Sequence, residues 1–147
     1  MYQKGYFKDK KITVMGLGLL GRGVGDIKFL LEDGAIVTVT DLKTEEELQS
    51  SVNQLKHFPN VSFSLGGHVL EDFNNKDMIL KGAGVPLQNE FIDEARANNI
   101  PIQMSAALFC SLSPATHIGI TGTRGKSTVT QFIYEGLKTA DKNVYLG

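Results

Sequence analysis

Short apolar runs alternate with longer amphipathic stretches along most of the chain. The apolar runs are rich in β-branched residues and are bounded by glycine, proline or lysine, a pattern typical of strands buried in a parallel sheet. The stretches between them place apolar residues at helical spacing, and Thr44 with Glu47 matches a capping box at the start of one stretch. The predicted strands cover residues 12–15, 36–40, 61–65, 78–80 and 102–104, and the predicted helices cover residues 19–32, 44–57 and 90–98.

Strands that alternate with helices over short connections predict an α/β fold. We expect residues 1–112 to form a doubly wound, Rossmann-like parallel sheet with helices on both faces. Residues 111–115, which contain a Ser-Pro pair, predict a linker. Residues 113–147 are then expected to open a second α/β domain with a strand, a glycine loop and a helix. The elements predicted there are a strand at 117–121, a helix at 129–138 and the start of a strand at 144–146.

Composition narrows the possible partners of this 147-residue chain. Its 15 basic and 16 acidic residues give a net charge of −1, so no basic field is available to hold a nucleic-acid backbone. No run approaches the length of about 18 apolar residues that a membrane-spanning helix needs, and the first residues lack the apolar core of a secretory signal. The lone Cys110 is expected to be a small buried residue. A soluble cytoplasmic protein with no nucleic-acid or membrane partner is therefore the expectation, and we further expect a monomer.

A first glycine-rich segment, G-L-G-L-L-G at residues 16–21, lies between the first predicted strand and helix. Glycine permits a tight turn at Gly16, close approach of a phosphate at Gly18 and close helix–strand packing at Gly21. Asp41 ends the second strand, where a carboxylate accepts hydrogen bonds from the sugar or base of a nucleotide. The segment predicts nucleotide binding. The alternative is that the glycines serve only the turn and packing, with Asp41 an exposed strand end.

A second glycine-rich segment, T-G-T-R-G-K-S at residues 121–127, lies between a predicted strand and helix. Ile120 stands where a strict Walker loop has glycine, but the other parts are present. The two glycines let successive amides face one anion, Lys126 can reach the outer phosphates, and the Ser127 hydroxyl can bind Mg²⁺. The segment predicts ATP binding, against the alternative of a solvated turn with a surface lysine.

These two segments together resemble a known family. T-G-T-R-G-K-S is similar to the G-T-x-G-K-[ST] loop of the Mur ligases and folylpolyglutamate synthetases. The G-L-G-L-x-G turn about 100 residues earlier resembles the turn after the first strand in the Mur ligases that add D-glutamate. Folylpolyglutamate synthetases lack an N-terminal domain of this kind. The resemblance covers essentially the whole chain. It implies ATP-dependent amide ligation in peptidoglycan precursor synthesis, in which ATP phosphorylates UDP-N-acetylmuramoyl-L-alanine and D-glutamate attacks the acyl phosphate.

The resemblance also implies site residues. The first loop would bind UDP rather than NAD, and the second would bind ATP, with Lys126 and Ser127 in catalytic roles and Ser127 as a ligand of Mg²⁺. The implied UDP-binding residues are Gly18, Leu19, Leu20, Asp41, Leu42 and Lys43. The implied ATP-binding residues are Gly122, Thr123, Arg124, Gly125, Lys126, Ser127 and Thr128. The chain departs from the family at residues 82–86, where G-A-G-V-P replaces a more usual S-P-G-I turn.

Two other interpretations remain. In the first, the chain is an NAD(P)-binding oxidoreductase or regulatory module in which Asp41 holds a ribose and the second loop is incidental. In the second, it is a P-loop nucleotide switch with a protein partner. In the family, the remaining metal ligands and the D-glutamate site lie beyond the first ATP helix, so we expect this chain to be an inactive N-terminal part of the ligase. His68, in a loop after the third strand, is a further candidate for substrate contact.

Overall fold

A computed structural model describes residues 2–18 and 22–146. Leu19, Leu20 and Gly21, for which roles were predicted above, lie outside the described residues. The strands are β1 Lys11–Met15, β2 Ile36–Asp41, β3 Val61–Leu65, β4 Met78–Lys81 and β5 Ile102–Met104. The helices are α1 Arg22–Glu32, α2 Gln49–Asn53, α3 Glu90–Ala97, α4 Ser105–Leu112 and α5 Lys126–Thr139, with a 3-10 turn at Leu70–Phe73.

The five strands form one parallel sheet in the order β3-β2-β1-β4-β5. Val14 of β1 pairs with Val39 on one side and with Leu80 on the other, so β1 lies at the centre. From β1 the chain proceeds outward to β2 and β3 and then returns to add β4 beside β1. The direction of winding therefore reverses between β1 and β4, and parallel sheets bind ligands outside the carboxyl ends of the strands at such a point. The predicted doubly wound sheet is confirmed.

Side chains of both sheet faces are buried, which explains the near-continuous apolar runs. Along β4, Leu80 belongs to a core cluster that includes α1, whereas Ile79 belongs to a second cluster with α3. The first cluster receives Val24, Ile27, Leu30 and Leu31 from one face of α1. The second is built around Phe73, Ile92 and Ala95. Helices thus cover both faces, and the site is left at the strand ends.

The segment before β1 is fixed by one carboxylate. Asp33, which is 5% exposed, accepts hydrogen bonds from the Tyr2 hydroxyl at 2.7 Å, the Gly5 amide at 2.6 Å and the Phe7 amide at 2.8 Å. Burial alone would raise the pKa of Asp33, but the hydrogen bonds from Phe7, Gly5 and Tyr2 outweigh it and lower that pKa. The carboxylate therefore stabilises the fold at neutral pH, and this contribution is lost as the pH falls through its lowered pKa.

The predicted helix at 44–57 is mostly replaced by turns. The capping box forms, because the Thr44 amide donates to Glu47 Oε2 at 2.9 Å and the Glu47 amide donates to Thr44 Oγ1 at 3.4 Å. Within this range, however, only α2 is helical, and residues 45–48 and 54–57 form turns.

Helix α4 was not predicted, and it overlaps the linker expected at 111–115. Met104 occupies its N-cap position, and no side chain caps its first turn. Leu108 and Leu112, one turn apart, pack on the first core cluster. Cys110 lies between them in sequence and faces away, so the prediction that it is buried is wrong.

Contacts between residues divide the chain into two units, one up to Pro114 and one from Ala115 onward. Helix α5 of the second unit starts three residues before its predicted start, and none of its residues is buried. No strand forms among residues 115–146, where strands were expected at 117–121 and 144–146. A strand requires a hydrogen-bonded neighbour, and these residues provide none.

Candidate functional site

The first glycine loop leaves β1 at the carboxyl edge of the sheet. Gly16 and Gly18 have positive φ angles of 94° and 71°, which favour glycine. A Cβ built on Gly16 would lie 3.3 Å from Val85 Cγ2, so the loop packs closely against the turn after β4. At Gly18, by contrast, no atom of the described residues comes within 4 Å of such a Cβ. As far as residues 2–18 and 22–146 are concerned, space is therefore open beside Gly18, where close approach of a phosphate was predicted.

Asp41 holds this loop in place. Its Oδ2 accepts hydrogen bonds from the amides of Leu17 at 2.8 Å and Gly18 at 3.3 Å, and its Oδ1 accepts from the Lys43 amide at 3.0 Å. The residue is 8% exposed. Asp41 therefore shapes the loop directly, a role that its position at a strand end did not suggest. Leu42 beside it is 70% exposed.

The loop after β3 folds onto residues 41–43, which follow β2. The amides of Gly66 and Gly67 donate to the carbonyls of Lys43 at 2.8 Å and Asp41 at 3.1 Å. The ring of His68 follows, with Nδ1 at 2.8 Å from Thr40 Oγ1. His68 also packs against aromatic rings, at centroid distances of 5.2 Å to Phe91 and 6.2 Å to Phe73. The loop thus brings His68 to the carboxyl end of β2, beside Asp41.

Burial lowers the pKa of His68, and the nearby charges of Asp41 and Asp72 only partly oppose this effect. The folded state thus holds the ring neutral more strongly than the unfolded chain does. We expect the free energy of unfolding to fall as the pH drops below the ordinary histidine pKa of about 6.5. Urea titrations at pH 8 and pH 5.5 measure this. In His68→Gln the decrease between the two pH values should be smaller, and an equal decrease in both proteins would contradict the assignment.

In the second unit, the predicted phosphate loop leads into α5. Gly125 has a φ of 75° and precedes the first helical residue, Lys126, whose Nζ donates to the Gly122 carbonyl at 2.7 Å. A Cβ on Gly125 would meet no described atom within 4 Å, so the space over the helix start is open. Residues 121–128, which include Thr123, Arg124, Ser127 and Thr128, are all exposed. The loop and its seven predicted residues therefore lie together at one helix N-terminus, a favourable place for an anion.

Magnesium has less support from the side chains. Within residues 2–18 and 22–146, no group of three or more histidine, cysteine, aspartate or glutamate side chains is placed to hold a metal. The Ser127 hydroxyl is a single oxygen, whereas Mg²⁺ prefers six oxygen ligands, many of them water or phosphate.

In the same described residues, no helix is both long and apolar enough to cross a membrane.

Two residues of the site were missed. Gly23, in the first turn of α1, approaches the loop so closely that a Cβ there would lie 2.5 Å from the Leu17 carbonyl oxygen. The clustered glycines predicted close packing of the helix on the strand, but the motif spacing assigned that role to Gly21 rather than Gly23.

Lys81 ends β4 and is 4% exposed. Its only signal was a position directly after an apolar run, where a lysine is ordinarily solvated.

Comparisons with known proteins identify the family. The model of the "Mur ligase MurD-like, N-terminal domain" matches residues 10–104. The UDP-N-acetylmuramoylalanine--D-glutamate ligase of Borreliella burgdorferi (strain ZS7) is 37% identical over 141 residues, covering 95% of this chain and 30% of that protein. The enzyme of the same name from Roseiflexus sp. (strain RS-1) is 39% identical over 121 residues, covering 82% and 26%. This chain thus spans about 30% of the length of such curated relatives.

Among solved structures, a pseudomurein peptide ligase type C from Methanothermus fervidus matches with a TM-score of 0.51. It is 23% identical, and the match covers 90% of this chain and 26% of that one, which supports the fold. The family match spans β1 to β5 and includes the first glycine loop. The chain therefore belongs to the Mur ligase MurD-like family, whose N-terminal domain it contains.

Proposed function

We propose that the first unit binds the UDP end of UDP-N-acetylmuramoyl-L-alanine, within a ligase that adds D-glutamate. The observation that carries this proposal is the open space beside Gly18 at the reversal of the sheet, next to Asp41 and Lys43. The relatives named UDP-N-acetylmuramoylalanine--D-glutamate ligase indicate the substrate, and the open loop would accommodate its nucleotide. Phosphates would approach the loop at Gly18, and the base would lie toward the end of β2.

The bonding of Asp41 supports uracil over the ribose of a dinucleotide. An ionised carboxylate has about four acceptor positions. The amides of Leu17, Gly18 and Lys43 occupy three of them. One remaining position suits the single imide N–H of uracil, whereas bidentate binding of both hydroxyls of a ribose would need two. This favours UDP over NAD at the first loop.

For the second unit we propose ATP as the nucleotide. The open space over Gly125, the exposed loop and the start of α5 fit a triphosphate. Lys126 would exchange the Gly122 carbonyl for phosphate oxygens, with the amides of residues 122–125 and the hydroxyls of Ser127 and Thr128 around it. Bound ATP supplies the phosphoryl group that activates a carboxylate for amide formation, and Ser127 would contribute one ligand to its Mg²⁺. The lysine would neutralise charge on the phosphates and the amides would stabilise it, and both are main requirements of phosphoryl transfer.

The UDP proposal is tested by adding one methyl group to the loop. Gly18→Ala places a methyl where the phosphate would approach, so UDP affinity should fall about tenfold or more, since close backbone approach is the reason for glycine there. Isothermal titration of the chain with UDP and with NADH measures this. We expect the unmodified chain to prefer UDP.

Gly5→Ala is the matched control. Gly5 also has a positive φ, of 87°, and equally open surroundings, so both variants pay a similar backbone strain of about 1 kcal/mol. Gly5 lies in the segment held by Asp33, away from the loop. Its variant should bind UDP as the unmodified chain does. Preference for NADH, or equal UDP affinity in Gly18→Ala, would refute the proposal.

A further inference from the structure

A lysine is buried at the carboxyl end of β4. Lys81 is 4% exposed and pairs with Met15 of β1 and Met104 of β5. It alternates with Leu80, so its side chain leaves the sheet on the face opposite α1. Its Nζ donates to the carbonyl of the next residue, Gly82, at 3.0 Å. That carbonyl belongs to the turn leaving β4, so the ammonium lies at the edge of the sheet where ligands bind.

The charge of this ammonium is not balanced by a neighbour. In the part of the chain that the structure describes, the one ion pair joins Arg96 to Asp93, so Lys81 has no carboxylate within 4.0 Å. An ammonium group has three donors, and Gly82 accepts from one of them. Buried cations without a counter-charge are strongly unfavourable. An anion brought to this edge would therefore gain from Lys81.

The turn that binds the ammonium touches the first glycine loop. The Gly82 amide donates to the Met15 carbonyl at 2.8 Å. A Cβ on Gly82 would lie 3.4 Å from the Met15 carbonyl oxygen and 3.5 Å from that of Gly16. A ligand at this edge would meet the start of α1 from one face of the sheet, and the Lys81 side chain, which leaves the opposite face, would reach it from the other.

We propose that Lys81 is the cation that binds the diphosphate of the nucleotide at the first loop. This inference rests on the proposed function, which places UDP there. A diphosphate carries at least two negative charges, and attraction to a buried ammonium is weakly screened by water. Without nucleotide, the Gly82 carbonyl holds the side chain. With nucleotide, the two free donors of the ammonium turn to phosphate oxygens.

The test removes the charge and keeps the shape. Lys81→Met replaces the ammonium with an apolar group of similar length, and its UDP affinity should fall about tenfold or more because a charge-assisted hydrogen bond is lost. Its affinity for uridine, which has no phosphate, should not change. The dependence of UDP affinity on KCl concentration should also become weaker. Isothermal titration of the whole chain measures all three.

Lys76→Met is the matched control. Lys76 is partly buried, whereas Lys81 is fully so, and Lys76 donates to Thr38 Oγ1 at 3.0 Å. It precedes β4 and therefore lies toward the opposite edge of the sheet. This variant should keep its UDP affinity and its salt dependence. Unchanged UDP affinity in Lys81→Met would overturn the inference while leaving the proposed function in place. A failure of the unmodified chain to bind UDP would overturn both.

A second measurement needs only folded, charge-retaining protein. In chain labelled with ¹⁵N-lysine, the Lys81 ammonium resonance, assigned with Lys81→Arg, should shift when UDP is added. Uridine at equal occupancy should leave it in place. If UDP and uridine cause the same shift, or neither moves it while UDP binds, the ammonium does not contact phosphate and the inference is refuted even if Lys81→Met does not fold.

Discussion

Replacing Gly23 by alanine should lower the free energy of unfolding by about 2–3 kcal/mol, since overpacking that moves the backbone costs this much. The added Cβ would lie 2.5 Å from the Leu17 carbonyl oxygen and 3.2 Å from its carbonyl carbon. Both are backbone atoms, so no flexible side chain can yield. Either α1 or the loop must shift, and the loop is also held by Asp41. UDP affinity should therefore fall together with stability, as measured by urea unfolding and titration calorimetry.

Gly25→Ala, two residues along the same helix, is the control. Gly25 is exposed, and no described atom lies within 4 Å of its added Cβ. Alanine is a better helix former than glycine, so this variant should be more stable by about 0.5–1 kcal/mol. If Gly23→Ala were as stable as Gly25→Ala, the close approach of α1 to the loop would be disproved.

Replacing Asp41 by asparagine should lower the free energy of unfolding nearly as much as Gly23→Ala does. It should lower the affinity for UDP more than Gly23→Ala does. The carboxylate accepts three amide hydrogen bonds, and asparagine offers only one acceptor atom, so its NH₂ group must face a backbone N–H. Hydrogen bonds to a charged group that are lost in this way correspond to about 2–3 kcal/mol of stability. UDP affinity should fall at least tenfold, since loss of the loop conformation and of the acceptor for uracil combine.

Asp33→Asn distinguishes loss of stability from loss of the site. Asp33 is equally buried and also accepts three hydrogen bonds, but from residues before β1. Its variant should lose similar stability and keep UDP affinity at temperatures where both variants are folded. Equal losses of affinity in the two variants would mean that Asp41 acts only through global stability. Circular dichroism melts and calorimetry on the same samples provide the comparison.

The sheet and its reversal follow from the sequence because buried parallel strands require apolar runs. All five strands of the first unit were predicted, with β2 and β4 each extending one residue further than expected. The polar residue at each of these two ends, Asp41 and Lys81, completes a strand whose apolar run had already ended. The pattern of apolar residues thus predicts where the strands lie, but it does not predict the polar residues that end them at the site.

The details that escaped prediction depend on neighbours distant in sequence. Asp41 was expected near the nucleotide, but its hold on Leu17 and Gly18 requires β1 and β2 to be paired first. The contact of Gly23 with Leu17 depends on how closely α1 begins to the loop, which glycine spacing alone does not determine. Helix α4 has no capping residue, so only the packing of its leucines on the core reveals it.

The adjacency of β1 and β4 has a consequence for how the site is assembled. Gly16 and Gly82 touch, yet the chain must complete two strand–helix excursions before the second glycine can reach the first. Bringing such distant residues together requires closing a long loop, so we expect these contacts to form late in folding. A polypeptide truncated after β2 would hold the whole glycine motif without the wall that Gly82 and Val85 build against it. Nucleotide affinity should therefore arise in a single cooperative step, when β4 joins the sheet.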